Sequence, residues 1–337
     1  MKHAYLLILI FGSIAVYSQV GLKQITFTDS SRSRNLKSTI FYPTKSELVQ
    51  EYGGNRVFMG FMASKDTEIS THSKLPLIIL AHGTSGNWRN LSWLADTLVK
   101  KGAIAVAANH PGSTTGDATP ASVFRTWNQP LDISFLIDRM LASEFSQHID
   151  TGKIIVIGSS LGGYTALALS GAKVKLEKYP DFCEKHSDEA CNYFWPVFES
   201  LDQDFFEKTN QLYIDSRIKL SIALVPGFVE VMTRESLQNM DNPILIVGAE
   251  MDENLPPETH FLPYLDNLSA TAKYHTVEGA NHYSFLQQCK SGALEILAEE
   301  EAEFVCIEKG DRKREEIHEE VIEMVISFIE SHIHASK

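Results

Sequence analysis

The chain lacks most of what would place it outside ordinary globular proteins. Only four of its 337 residues are cysteines, none in a CxxC pair, and no Cys and His set has the spacing of a structural zinc site. Positive charge is scarce as well, with 30 Lys and Arg against 43 Asp and Glu and a formal charge of −13. So acidic a surface repels phosphate backbones and argues against a nucleic-acid partner. There is no internal repeat and no low-complexity linker, which removes solenoid, collagen-like and disordered classes. What remains is a chain 44% hydrophobic and 22% charged, long enough for one large α/β domain or two smaller ones with a full core.

The first 18 residues read differently from the rest. Lys2 and His3 precede an apolar run from Tyr5 to Val16, and Val16 and Ser18 occupy the −3 and −1 positions of a cleavage site before Gln19. That is the pattern of a secretory signal peptide, with a run too short for a comfortable membrane-spanning helix. The expected layout is a signal peptide over 1–18 and one domain over 19–337, secreted or periplasmic, with no stable membrane span in the mature chain. In an exported chain four cysteines suggest disulfides, with three connectivities open. The local pairs, Cys183 with Cys191 and Cys289 with Cys306, are favoured because each closes a short stretch within one irregular segment.

Short apolar runs rich in β-branched residues lie at 75–81, 103–108, 153–158, 218–225 and 243–248, with a weaker one at 272–277. Near-continuous apolar strands are what a parallel sheet covered on both faces requires. Helices are expected at about 88–101, 127–143, 160–171, 257–267 and 313–333. The repeated βα order predicts an α/β fold built on a doubly wound, mostly parallel sheet. Segments near 23–28 and 37–42 alternate more and read as an antiparallel edge. Residues 173–216 break the rhythm and carry Cys183, Cys191 and the aromatics Tyr193, Phe194, Trp195, Phe198, Phe205 and Phe206. An insertion there would lie above the C-terminal edge of the sheet, where open α/β folds bind ligands, and we expect a cap or lid. Its aromatics would either form the cap's own core or line a pocket, with Trp195 a candidate substrate contact.

The strongest chemical signal is Gly158-Ser-Ser160-Leu-Gly162-Gly163, between a buried strand and an Ala/Leu-rich helix. In a G-x-S-x-G elbow the serine sits on a strained turn, and the flanking glycines keep side chains off neighbouring backbone. Ser160, with Gly at both −2 and +2, is the candidate nucleophile. A serine hydroxyl needs a base, and the base needs a carboxylate to hold it. Asp252 follows the 243–248 strand and is the expected acid, with Glu250 and Glu253 as rivals; His282, in a small-residue turn after the last strand, is the expected base. Two backbone N–H groups should face the oxyanion, each worth roughly 3 kcal/mol. Leu161 supplies one; Thr84, in His82-Gly83-Thr84-Ser85-Gly86, is expected to supply the other, with Gly83 the near alternative. His82 reads as a brace for that loop and His110 as either support or substrate contact. His260, His275, His318, His332 and His334 read as structural or exposed, and His318-Glu-Glu-Val-Ile322 lacks the second His of a zinc-protease helix.

Taken together, Ala81-His-Gly-Thr-Ser-Gly86, His110-Pro-Gly-Ser-Thr-Thr115, Gly158-Ser-Ser-Leu-Gly-Gly-Tyr-Thr165, the Cys-containing insertion, Gly248-Ala-Glu-Met-Asp252 and His282-Tyr-Ser-Phe285 resemble a known group. They are similar to the α/β-hydrolase superfamily, and within it to secreted "predicted dienelactone hydrolases" related to platelet-activating-factor acetylhydrolase, bacterial lipases and polyester hydrolases. The likeness runs from about residue 75 to 290. It implies Ser160, His282 and Asp252 as nucleophile, base and acid, and a bacterial setting. True dienelactone hydrolases carry Cys where this chain has Ser160, so the resemblance implies ordinary ester hydrolysis. The expected function is a serine esterase on a small-molecule or lipid-like ester, without metal or cofactor; the alternatives are an amidase or peptidase with the same triad, or a silent binding protein on the same fold.

Overall fold

The structure, a computed structural model, describes residues 19–333. The expected signal peptide and cleavage site, and His334, lie outside the described residues.

The described residues run through ten strands: β1 Gln19–Asp29, β2 Arg34–Thr44, β3 Gln50–Tyr52, β4 Phe61–Lys65, β5 Leu75–Ala81, β6 Ile104–Ala108, β7 Ile149–Ser159, β8 Ile218–Leu224, β9 Ile244–Ala249 and β10 Ala272–Val277. They join in one sheet in the order β10-β9-β8-β7-β5-β6-β2-β1-β4-β3. The six strands β5 to β10 are mutually parallel, and β2 pairs antiparallel with both β6 and β1. Both faces are covered, and alternate residues of a strand feed opposite cores. Leu77 and Ile79 of β5 pack with Ile133, Leu136 and Met140 of the helix Asn128–Leu141. Ile78 and Leu80 instead join Leu94 and Leu98 of the helix Ser92–Lys100 and Ile317, Val321, Val325 and Phe328 of the helix Arg314–Ile333. Each such side chain, fully buried, contributes about 1.5–3 kcal/mol, so the near-continuous apolar strands pack productively on both sides.

The connections fix where a site can form. From β5 the chain moves outward to β6, then returns across β5 to β7 and continues the other way to β8. The order therefore reverses between β5 and β7, the kind of switch point at which open α/β sheets bind ligands. Register brings the strand tips level there: Ala81 pairs with Gly158, Ser159 with Leu224, and Val277 with Ala249.

Three segments differ from expectation. Strands β3 and β4 add an edge that Gly53, Gly54 and Gly60 obscure in the sequence. The helix expected over 257–267 is two short pieces, Pro257–His260 and the 3-10 helix Leu262–Asn267, broken at Phe261 (φ −131°), because Pro263 has no N–H for the Thr259 carbonyl and its ring crowds that oxygen. Residues 173–216 form short helices at Tyr179–Cys183, Glu189–Phe194 and Gln203–Thr209, while the disulfides Cys183–Cys191 within the insertion and Cys289–Cys306 beyond it are the local pairs expected. Phe124 brings Tyr179, Phe194, Phe198 and Phe205 within 4.9–5.9 Å, so the insertion's aromatics extend the main core. Trp195 stands outside that cluster, 52% exposed and edge-on to Phe198.

Candidate active site

Strand β7 ends at Ser159 and the helix Leu161–Leu169 begins at once, leaving Ser160 in the turn with φ 56° and ψ −116°. A non-glycine residue held there costs about 1–3 kcal/mol, which the surroundings must supply. Ser160 N–H donates to the Leu224 carbonyl at 2.9 Å, and its own carbonyl accepts from Gly227 N–H at 3.2 Å and Tyr164 N–H at 3.0 Å. The elbow glycines are sterically required. A Cβ on Gly158 would lie 2.0 Å from the Gly162 carbonyl oxygen, and one on Gly162 would lie 2.1 Å from that of Ala81. The helix thus presses directly on β5, setting Ser160 beside the loop after that strand.

Asp252 and His282 reach the same point from β9 and β10. His282 opens a 3-10 turn whose first N–H groups are satisfied by Asn281, and Ser284 reciprocates to the Asn281 N–H. His282 Nδ1 lies 2.8 Å from Asp252 Oδ2, and Nε2 lies 3.0 Å from Ser160 Oγ. Asp252 is buried, and its Oδ1 accepts from the N–H groups of Asn254 at 3.0 Å and Leu255 at 2.9 Å. Those bonds leave Oδ2 for the imidazole. The rival carboxylates are engaged elsewhere: Glu250 accepts from Gly279 N–H at 2.8 Å, and Glu253 pairs with Lys309 at 2.7 Å.

The loop 82–86 is pinned against Ser160, where a Cβ on Gly83 would stand 2.9 Å from Ser160 Cβ. Its peptide groups are fixed from behind. Gln129 Nε2 donates to the His82 carbonyl at 3.0 Å, while the Gly83 carbonyl accepts from His82 Nδ1 at 2.7 Å and Gly86 N–H at 3.1 Å. Because a trans peptide points its C=O and N–H in opposite directions, anchoring these carbonyls aims the N–H groups of Gly83 and Thr84 the other way. Leu161, first in its helix, likewise has an N–H with no helical acceptor.

His82 and His110 sit behind this loop. His82 Nε2 accepts from His110 N–H at 3.2 Å, and burial, then the adjacent His110, lower its pKa to about 3. It is neutral and spoken for on both nitrogens, a brace as expected. His110 is fully buried, with Nδ1 3.0 Å from Asp132 Oδ2 and Nε2 without a hydrogen-bond partner. Asp132 also takes Arg34 in a two-bond pair, and though burial pushes its carboxyl up, the bonds from His110 and Arg34 hold it below its ordinary range. Two supporting residues escaped the sequence reading, Gln129 and Asp132, and a third, His318, read as structural or exposed, is buried. His318 Nε2 donates to the Ser284 carbonyl in the His282 turn at 3.0 Å, and its ring stacks on Trp93 at 3.7 Å. Their partners are remote in sequence, and only polar residues on otherwise apolar helix faces hinted at them.

A cavity of about 230 Å³ opens beside His282, bordered by Tyr283, Phe304 and Met251; Trp195 does not line it. Among the described residues no cluster of three or more His, Cys, Asp or Glu is arranged to hold a metal ion, and no helix is long and apolar enough to cross a membrane.

A family model described as the alpha/beta hydrolase family matches residues 78–290, more than half of the chain. The chain belongs to this family. The match takes in the C-terminal ends of β5 to β10, and with them Ser160, Asp252 and His282. Among solved structures, the ferulic acid esterase from Streptomyces cinnamoneus superposes with a TM-score of 0.65 over 94% of this chain and 91% of that one, at 18% identity. At that identity the likeness is one of fold. Comparison with curated proteins gives no match.

Proposed function

We propose that this alpha/beta hydrolase is a serine esterase of carboxylic esters, exported by its N-terminal segment and related to the dienelactone hydrolase-like and platelet-activating-factor acetylhydrolase-like group. The observation that carries the reading is the continuous hydrogen-bonded line Asp252–His282–Ser160, 2.8 Å and 3.0 Å long in its two links. In this reading Asp252 fixes the imidazole with Nδ1–H toward the carboxylate, leaving Nε2 to take the Ser160 proton. Ser160 Oγ attacks the ester carbonyl, and the N–H groups of Leu161 and Thr84 hold the negative oxygen, a contribution of roughly 3 kcal/mol per donor. His282 returns the proton to the leaving alcohol, and water then releases the acid by the same route. The insertion 173–216 acts as the lid. No step calls on a cofactor, and the two disulfides suit an oxidising compartment.

The test is hydrolysis of a p-nitrophenyl ester series, from acetate to palmitate, beside Ser160→Ala. The expected result is wild-type turnover that the variant loses by several orders of magnitude, as for removal of a triad member. Equal inertness of the two, with no labelling of Ser160 by a fluorophosphonate, refutes the reading; labelling without ester turnover moves it to amides.

A further inference from the structure

The cavity beside His282 is a built feature rather than a chance hollow. Its apolar wall is Met251, Tyr283 and Phe304, and its rim carries Glu189 and Asn254. The Tyr283 and Phe304 rings meet at 5.0 Å and 53°, and Asn254 Nδ2 donates to the Tyr283 hydroxyl at 2.9 Å, which holds that ring in place. Met251 and Phe304, both lining the cavity, stay 39% and 46% exposed, and gathered exposed apolar groups mark contact surfaces. Both disulfides brace this one cavity: Phe304 lies in the loop closed by Cys289–Cys306, and Glu189 in the loop closed by Cys183–Cys191. Of the two rim glutamates, Glu253 is neutralised by Lys309, whereas Glu189 has no ion-pair partner among the described residues.

We propose that this cavity is the subsite for the leaving alcohol, and that it favours a compact alcohol with a flat apolar ring and no negative charge. The inference rests on the esterase reading and follows from its proton balance. When Ser160 Oγ bonds to the acyl carbon, the bond from that carbon to the alcohol oxygen breaks with its electron pair left on the oxygen. The proton taken from Ser160 passes from His282 Nε2 to that oxygen. The departing alcohol therefore lies against His282, and the cavity is a hollow that His282 borders. Its volume, about 230 Å³, is below the roughly 300–1,000 Å³ of pockets that enclose drug-sized ligands, so it admits a single ring. Tyr283 and Phe304 supply faces for that ring, and the unpaired Glu189 carboxylate repels an anion.

The test holds the acyl group constant and varies the alcohol: propionates of ethanol, benzyl alcohol, 4-carboxybenzyl alcohol and 4-aminomethylbenzyl alcohol, compared by kcat/KM. Reading each ratio in variant against wild type cancels the intrinsic reactivity of the esters. In wild type the benzyl ester should exceed the ethyl ester by about three- to tenfold, the scale of one aromatic contact. Phe304→Ala should bring that ratio towards one, with Phe304→Leu as the milder variant should the first not fold. The aminomethyl ester should exceed the carboxy ester severalfold, a preference that Glu189→Gln and added salt both reduce. If esters are cleaved through Ser160 and these ratios do not move in the variants, the subsite assignment is wrong while the esterase reading stands. If wild type cleaves none of them and a fluorophosphonate leaves Ser160 unlabelled, the esterase reading falls and the subsite falls with it.

Discussion

Gln129 is a single amide that ties together the two halves of the proposed oxyanion site. Its Nε2 donates to the His82 carbonyl at 3.0 Å and to Ser113 Oγ at 3.3 Å, and its Oε1 accepts from Thr165 Oγ1 at 2.9 Å. Thr165 stands one turn into the helix that starts at Leu161 and also contacts the Leu161 carbonyl at 3.0 Å. The amide thus couples the peptide just before the one that presents Thr84 N–H to the helix that presents Leu161 N–H. Gln129→Leu should lower kcat about ten- to a hundredfold, less than full loss of a donor, with little change in KM. Rates are to be counted per active site titrated with a fluorophosphonate, so that misfolded protein does not enter. Thr165→Val should act in the same direction, and the double variant should lose less than the product of the two, since contacting residues are not additive. A fall in titratable sites with unchanged kcat per site contradicts this positioning role. None of it was legible from local sequence. Ser160 and its glycines were, because the constraints that make an elbow act within five residues; Gln129 reaches a carbonyl 47 residues away.

At the scale of elements, the insertion is fastened by a buried charge cluster. His260 ends the short helix Pro257–His260, with Nε2 2.9 Å from Asp188 Oδ2 in the insertion and Nδ1 3.1 Å from Glu230 Oε2 beyond β8. Burial alone would lower its pKa, but Glu230 and then Asp188 outweigh that and raise it to about 10. A histidine raised in the fold from 6.5 stabilises fully below pH 6.5, and that contribution declines above it until it is gone near pH 10. His260→Gln leaves two buried carboxylates without their cation, a change that costs about 3–5 kcal/mol when one partner of a buried pair is removed. The expected outcome at pH 7 is a lower Tm and earlier limited proteolysis within 173–216 than in wild type, the gap in Tm narrowing as pH approaches 10. A pH-independent gap contradicts a charged His260. The sequence revealed His260 only as a helix residue, because Asp188 lies 72 positions away. The strands were far more legible: β5 was expected over 75–81 and is found at Leu75–Ala81, since burial on both faces leaves a continuous apolar run. β3, three residues between loops with glycines at 53, 54 and 60, has no such run to read.

For the whole molecule, histidine burial sets the response to acid. His82 is held neutral by burial and then by His110, with a pKa of about 3, and His318 by burial and then by Arg314, with one of about 4. An unfolded histidine accepts its proton near pH 6.5, so between that point and pH 4 the unfolded chain binds two protons that the fold refuses. Stability present above pH 6.5 is therefore lost on acidification, at about 1.4 kcal/mol per pH unit for each histidine once below that value. His260 does not offset this, because it is protonated in both states over that range. The two residues also stand where stability and activity meet: His82 orients the proposed oxyanion loop, and His318 carries the turn that presents His282. A series of Tm values from pH 7 to 4.5 should fall more steeply for wild type than for His318→Gln. The variant starts lower at pH 7, since it loses the stack on Trp93, but sheds one of the two titrating groups. Parallel curves would show that His318 is as readily protonated in the fold as out of it, and the acid lability would then have to lie with His82 alone.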